Sequence, residues 1–373
     1  MGFTEMNTEL FLEMLQIDST TGREGSLSCF LAQKLLTPGC SLQRFPVESM
    51  RTSCSEGCSA PENLLFSWGI PKVIFCTHLD TVPPYISPSV KGDVFYGRGT
   101  CDAKGQIFAM YQACVELEAR GCKDFGLLLL AGEETGSFGA KEFNKSNTLT
   151  DSVIIVGEPT DNCMASAAKG TKAFEVSFEG EAFHSGYPQF GRSAVMMFND
   201  FVNALRSIGF PHDEVLGDTT WNIGKLVSDN PQNILSDRLT CRVYFRTTFE
   251  SDDMVCNIMK NIAGPAAKLR FGKPKAQDGS DIVAKDIADW QKFMTVKALG
   301  GDSPTRFEVL DGFESKPVSF GSDAPQLTSF RRRILCGPGS ILTAHRDNEQ
   351  VTLDDLKTAV DNYINIYNRL VVE

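Results

Sequence analysis

Apolar positions recur with helical spacing through residues 7–36, at Leu10, Phe11, Met14 and Leu15 and again at Leu27, Phe30, Leu31 and Leu35. The turn-rich Ser19-Thr20-Thr21-Gly22 divides the two groups, so the pattern predicts two opening helices. Short apolar runs follow at residues 63–68, 73–77, 125–131 and 153–157. They predict strands covered on both faces. A helical pattern over residues 105–120 lies between two of them. Strands alternating with helices predict an α/β domain, a sheet flanked by helices.

From Ala173 the rhythm changes, because Phe174, Val176 and Phe178 alternate with Glu175, Ser177 and Glu179. That alternation belongs to a sheet with one wet face. A helix over 193–208, strands over 220–227 and 239–248, a helix over 253–263 and a strand over 267–274 complete a β-α-β-β-α-β order. This is the split βαβ pattern of a ferredoxin-like α+β domain. Residues 284–298 return to helical spacing, 334–336 read as a buried strand, and 353–371 form an amphipathic helix. The smaller domain, 172–279, is thus expected as an insertion in a larger one made of 1–171 and 280–373.

Composition narrows the class. A chain of 373 residues with 42% hydrophobic content can bury more than one core. Glu5, Glu9, Glu13, Asp18 and Arg23 interrupt the first thirty residues, and no later window holds about 18 uncharged apolar residues in a row. Neither a signal peptide nor a membrane span is expected. The net charge of -11 argues against a nucleic-acid partner. Twelve cysteines in so long a chain, several of them in apolar runs (Cys76, Cys114, Cys241, Cys336), read as buried thiols of a cytoplasmic protein. Cys54 and Cys58 have no second pair to complete a metal site and read as loop residues.

Five segments could carry chemistry. The first apolar strand of interest runs into His78-Leu79-Asp80 and a proline turn; ligands favour the carboxyl ends of strands in open α/β sheets, and a His beside a carboxylate can bind a metal. A structural histidine is the plain alternative. Asp102 lies in the glycine-flanked Gly97-Arg98-Gly99-Thr100-Cys101-Asp102, just before a helix, where an N-cap or a weak phosphate loop are alternatives. Glu133-Glu134 directly follow a fully apolar strand. Two such carboxylates repel unless a cation lies between them or one is protonated, although acids at a helix start also meet the dipole favourably. Glu158 ends another strand, and His345 lies in a loop before the last helix. Mixed His and carboxylate donors suit zinc or cobalt better than magnesium or calcium.

Taken in order, these motifs resemble the zinc-dependent aminoacylase and carboxypeptidase family that includes acetylornithine deacetylase, succinyl-diaminopimelate desuccinylase and glutamate carboxypeptidase, and the likeness spans the chain. The resemblance implies a zinc-peptidase-like catalytic domain with a mixed sheet and an inserted lid and dimerisation domain. It implies two Zn2+ per chain, with Co2+ as a possible substitute: His78 and Glu158 on one ion, Glu134 and His345 on the other, Asp102 on both. Glu133 stands where the family keeps its general base, and Asp80 where a carboxylate orients the first histidine. In the lid, His184 matches a histidine that stabilises the oxyanion, and Arg246 an arginine that binds the substrate carboxylate. Asn233 falls in a substrate-binding segment, although Leu235 stands where relatives carry proline and Phe183 where they carry glycine.

The implied reaction is removal of the acyl group from an N-acyl amino acid. Gly157-Glu158-Pro159-Thr160, Gly321-Ser322-Asp323-Ala324-Pro325 and Ala344-His345 look most like acetylornithine deacetylase, an enzyme of arginine biosynthesis, while Tyr187-Pro188 looks like the desuccinylase. A dipeptidase of the same family, a non-catalytic metal-binding protein and a nucleotide enzyme using Gly97 and Gly99 are the rival readings. The partners expected are a small N-acyl amino acid and a second copy of the chain, paired through the lid.

Overall fold

The computed structural model describes residues 6–53, 60–264, 267–269 and 287–372. Cys54 and Cys58 lie outside them. The chain divides into two compact units: the larger takes in the chain to Ser166, Arg306–Val318 and everything from Ser322, and the smaller takes in Ala167–Thr305 and Ser319–Gly321.

The larger unit is built on a six-stranded mixed sheet in the spatial order Ser41–Pro46, Glu62–Trp68, Phe125–Leu130, Val73–His78, Val153–Val156, Arg332–Leu335. The first three pair antiparallel and the rest parallel. Strands Val73–His78 and Phe125–Leu130 are buried at every position, as their unbroken apolar runs predict. Register matters most here: Val73 opposes Phe125 and His78 opposes Leu130, while Cys76 opposes Val156. The parallel strands therefore release their following loops at one edge of the sheet. On one face, helices Glu9–Leu15, Gly25–Lys34, Lys104–Ala119 and Leu353–Val372 bury Phe11, Leu31, Phe108, Leu117 and Tyr363 against Phe75, Leu127 and Ile155. Phe11 stacks on Phe108 with ring centroids 5.1 Å apart. Helix Phe138–Ser146 lies beyond the strand end at Ala131, where the buried Asn63 accepts from the Ala131 N–H (3.0 Å) and donates to the Gly139 carbonyl (2.9 Å). Among the described residues no helix is long and apolar enough to cross a membrane.

The smaller unit is a four-stranded antiparallel sheet in the order Thr220–Val227, Arg238–Thr247, Gly170–Glu179, Met294–Gly300, with helices Ala194–Arg206 and Asp252–Asn261. Phe174, Val176, Phe178, Leu239, Cys241, Val243 and Phe245 fill its core, which is the inward half of the alternating pattern. The β-α-β-β-α-β order holds, but the fourth strand is not where the pattern placed it. Residues 267–269 are not in a strand, and 270–274 lie outside the described residues. Within the stretch expected to be helical, Ile287–Phe293 is a 3-10 turn and Met294–Gly300 is the strand. The three-residue spacing of Ile287, Trp290 and Phe293 imitates a helix, because a 3-10 turn repeats every three residues.

Candidate metal centre

Six of the singled-out side chains gather at the carboxyl edge of the parallel strands. His78 is the last residue of its strand, Glu133 and Glu134 follow Leu130 by a short turn, and Glu158 follows Val156. Gly132 makes that turn at φ +73°, in the left-handed region that favours glycine. Asp102 arrives from the loop before Lys104–Ala119, and His345 from the loop before the last helix, at φ +63°.

Asp102 is the hub. One of its oxygens lies 2.9 Å from His78 Nε2, and the other 3.1 Å from His345 Nε2. His345 Nε2 is also 3.1 Å from Glu134 Oε1. Ligand-capable atoms of His78, Asp102 and Glu158 all lie within 4.8 Å of one another, as do those of Asp102, Glu134 and His345, and those of His78, Glu133 and Glu134. Two triads thus share Asp102, and Glu133 stands beside both His78 and Glu134. His78 Nδ1 meets the backbone oxygen of Asp80 at 2.9 Å, while the Asp80 carboxylate is 3.5 Å from that nitrogen. That carboxylate accepts hydrogen bonds from the Glu133 N–H (3.0 Å), the Glu134 N–H (3.1 Å) and the Thr21 hydroxyl (2.9 Å). Asp80 therefore holds the Glu133-Glu134 turn as well as standing behind His78.

The electrostatics are those of an acid-rich pocket. Burial pushes Glu133 well above the usual carboxylate range, with Asp323, Glu134 and Asp80 adding to it against the pull of His78. Burial and Asp102 do the same to Glu158. For Asp102, burial opposes ionisation, but hydrogen bonds with His345 and His78 win and hold it well below the usual range. Asp102 and Glu134 together push His345 up to about 10. Asp323 is buried without a well-formed hydrogen bond to either oxygen, and burial raises it to about 7. Carboxylates buried this close together are driven to hold protons unless a cation lies among them, and divalent cations with a taste for mixed N and O donors fit the site. The residues present suit one or more such ions.

Three further singled-out residues belong to the smaller unit. His184 is exposed, bridges backbone to Ile234, and its Nδ1 accepts from the Gly186 N–H at 3.0 Å. The Asn233 carbonyl accepts from the Ser185 N–H at 2.9 Å, so Asn233 is tied to the His184 turn. Arg246 stacks its guanidinium 5.0 Å from the Tyr244 ring centre. Two residues of the larger unit carry no signal of a role in the sequence: Asp323, buried beside the acid pocket, and Glu349, four residues past His345, which grips the loop that carries Asp102.

Residues 74–293 match the model of peptidase family M20/M25/M40. A probable carboxypeptidase of Aspergillus niger is 30% identical over 94% of this chain and 86% of its own. One from Aspergillus terreus is 31% identical over 94% and 83%. Among solved structures, a tripeptidase of Staphylococcus aureus superposes with a TM-score of 0.76 at 20% identity over 97% of both chains. A metallo-carboxypeptidase of Sulfolobus solfataricus gives 0.71 at 15% identity over 99% and 100%. At such identities the structures show the shared fold.

Proposed function

The chain belongs to peptidase family M20/M25/M40 and is a metal-dependent hydrolase of amide or peptide bonds, and on that footing we propose that it is a two-zinc deacylase of small N-acyl amino acids, N-acetylornithine first among them. The observation that carries the two-ion reading is Asp102, whose two oxygens face two histidines in two different acid triads. His78, Asp102 and Glu158 would hold one ion, and Asp102, Glu134 and His345 the other. Ions bound there supply Lewis acidity to the amide carbonyl and lower the pKa of the attacking water.

The chain's own residues do the rest. Glu133 takes a proton from the attacking water and later gives it to the leaving nitrogen; a carboxyl raised by burial is suited to hold that proton. Asp80, through two backbone N–H groups, keeps Glu133 in place. Because His184 Nδ1 is occupied as an acceptor, its neutral ring carries the proton on Nε2, where it can be donated to an oxyanion. Arg246 would pair with the substrate carboxylate, and Asn233 would bind substrate from beside the His184 turn.

The deacetylase reading rests on Gly157-Glu158-Pro159-Thr160, Gly321-Ser322-Asp323-Ala324-Pro325 and Ala344-His345. A carboxypeptidase or dipeptidase activity is the second reading, favoured by the names of the fungal relatives. Cys76, Cys101, Cys114, Cys241 and Cys336 are buried free thiols, which supports a cytoplasmic setting. The edge strand Thr220–Val227, with Leu226 53% and Val227 58% exposed, supports pairing of two copies through the smaller unit. The test is release of free amino acid from N-acetylornithine, N-acetylcitrulline, succinyl-diaminopimelate, N-acetylmethionine and a dipeptide, by protein stripped with chelator and reloaded with zinc or cobalt. Cleavage of N-acetylornithine restored by metal is expected; cleavage of the dipeptide alone would overturn the deacetylase reading in favour of the second.

A further inference from the structure

The loop that delivers Asp102 is gripped by a carboxylate to which the mechanism above gives no part. Glu349 is fully buried. Its Oε1 accepts from three backbone N–H groups of that loop: Gly99 (2.9 Å), Cys101 (3.0 Å) and Asp102 itself (3.1 Å). Its Oε2 accepts from Arg98 Nη1 at 2.5 Å. Arg98, 1% exposed, donates in turn to the carbonyls of Pro84 (3.2 Å) and Arg346 (3.3 Å). The Glu349 backbone is engaged on both sides, accepting from Gly97 N–H and donating to the Arg346 carbonyl. One residue therefore binds the Asp102 loop to the segment that carries His345.

A buried ion pair alone is weak evidence for stability, since desolvation offsets much of the attraction. Three amides converging on one oxygen are a different matter, because they define the path of a loop, and one of them belongs to Asp102. Asp102 must face His78 and His345 at once, so a small shift of its backbone costs one contact or the other. We propose that Glu349 is a positioning residue for the metal centre: it holds Asp102 where both triads can share it, so that loading of both ions depends on it. This rests on the two-ion reading above.

The test strips the full chain with chelator and titrates it with Zn2+ by calorimetry and with Co2+ by visible absorption, for the parent, Glu349→Ala and Glu349→Gln. Thermal midpoints of the stripped proteins are measured alongside. Residues that orient metal ligands typically contribute about 10–100-fold in affinity. Because Asp102 belongs to both triads, Glu349→Ala should weaken both ions by such a factor and alter the Co2+ spectrum. Glu349→Gln keeps an oxygen for the amides and should fall between. A lowered thermal midpoint with both affinities unchanged would make Glu349 merely structural and overturn the proposal, as would loss of one ion alone. Should the alanine variant not fold, unchanged affinities in Glu349→Gln overturn it equally. A parent protein that takes up no Zn2+ defeats the two-ion reading itself, before any variant is compared.

Discussion

Deleting the Asp80 carboxylate is the sharpest probe of how the Glu133-Glu134 turn, with its proposed general base, is held. The side chain is wholly buried and accepts three hydrogen bonds, from Glu133 N–H, Glu134 N–H and the Thr21 hydroxyl. A hydrogen bond to a charged group contributes about 1.5–3 kcal/mol net. The Thr21 hydroxyl is half-buried and can turn to water, so only the two amides are counted, for roughly 3–6 kcal/mol. Against this, Asp80 repels Glu24 and Glu133, and its removal returns about 1–2 kcal/mol at the effective dielectric of such sites. Asp80→Ala should therefore destabilise the metal-free protein by roughly 1–5 kcal/mol, which lowers the thermal midpoint by about 2–20 °C for a unit of this size. With the turn loosened, Glu133 moves, and a misplacement near 1 Å costs on the order of 100-fold in rate. The assay is circular dichroism melting of chelator-treated protein, with turnover measured after reloading. A midpoint within 2 °C of the parent, on the scale set by that same relation, would refute the anchoring argument.

Two other outcomes follow from the same geometry. Glu133→Gln should bind metal as the parent does and lose about 100- to 10,000-fold in turnover, the range expected of general acid–base catalysis; wild-type turnover would remove Glu133 as the base. Because hydrogen bonds with Asp102 and Glu134 hold His345 protonated up to about pH 10, and metals bind only the neutral ring, zinc uptake at pH 7 should release protons and tighten as pH rises. Calorimetry in buffers of different ionisation enthalpy checks this, and an enthalpy independent of buffer would contradict it.

Much of the larger unit could be read in advance because its central strands are unbroken apolar runs, and because three of those runs lead into a polar residue that an ordinary strand would not need. His78, Glu133, Glu134 and Glu158 stand out for that reason. Asp102 and His345 were legible only through motif likeness, since a loop residue carries no periodicity. Two features were hidden by their physics. The last strand of the smaller unit sits behind a 3-10 turn whose three-residue repeat resembles a helix. Glu349 does its work through backbone N–H groups, which every residue but proline owns, so no partner residue type marks it in the sequence. Asp80 was legible as a carboxylate behind His78, but its hold on the Glu133-Glu134 turn depends on amides that the sequence does not distinguish.

The register of the parallel strands also bears on the order in which the molecule matures. Strand neighbours Val73–His78, Phe125–Leu130 and Val153–Val156 come from separate stretches of chain, and His345 returns from near its end to meet Asp102. Contacts so distant along the chain are slow to close, since the entropy of a long loop is lost before any contact compensates it. A nascent chain that has yet to bring its last helix home has one triad without its histidine. On the proposed two-ion centre, uptake of the second ion is then a late event in folding, and an occupied pair of triads would certify a larger unit that has finished assembling.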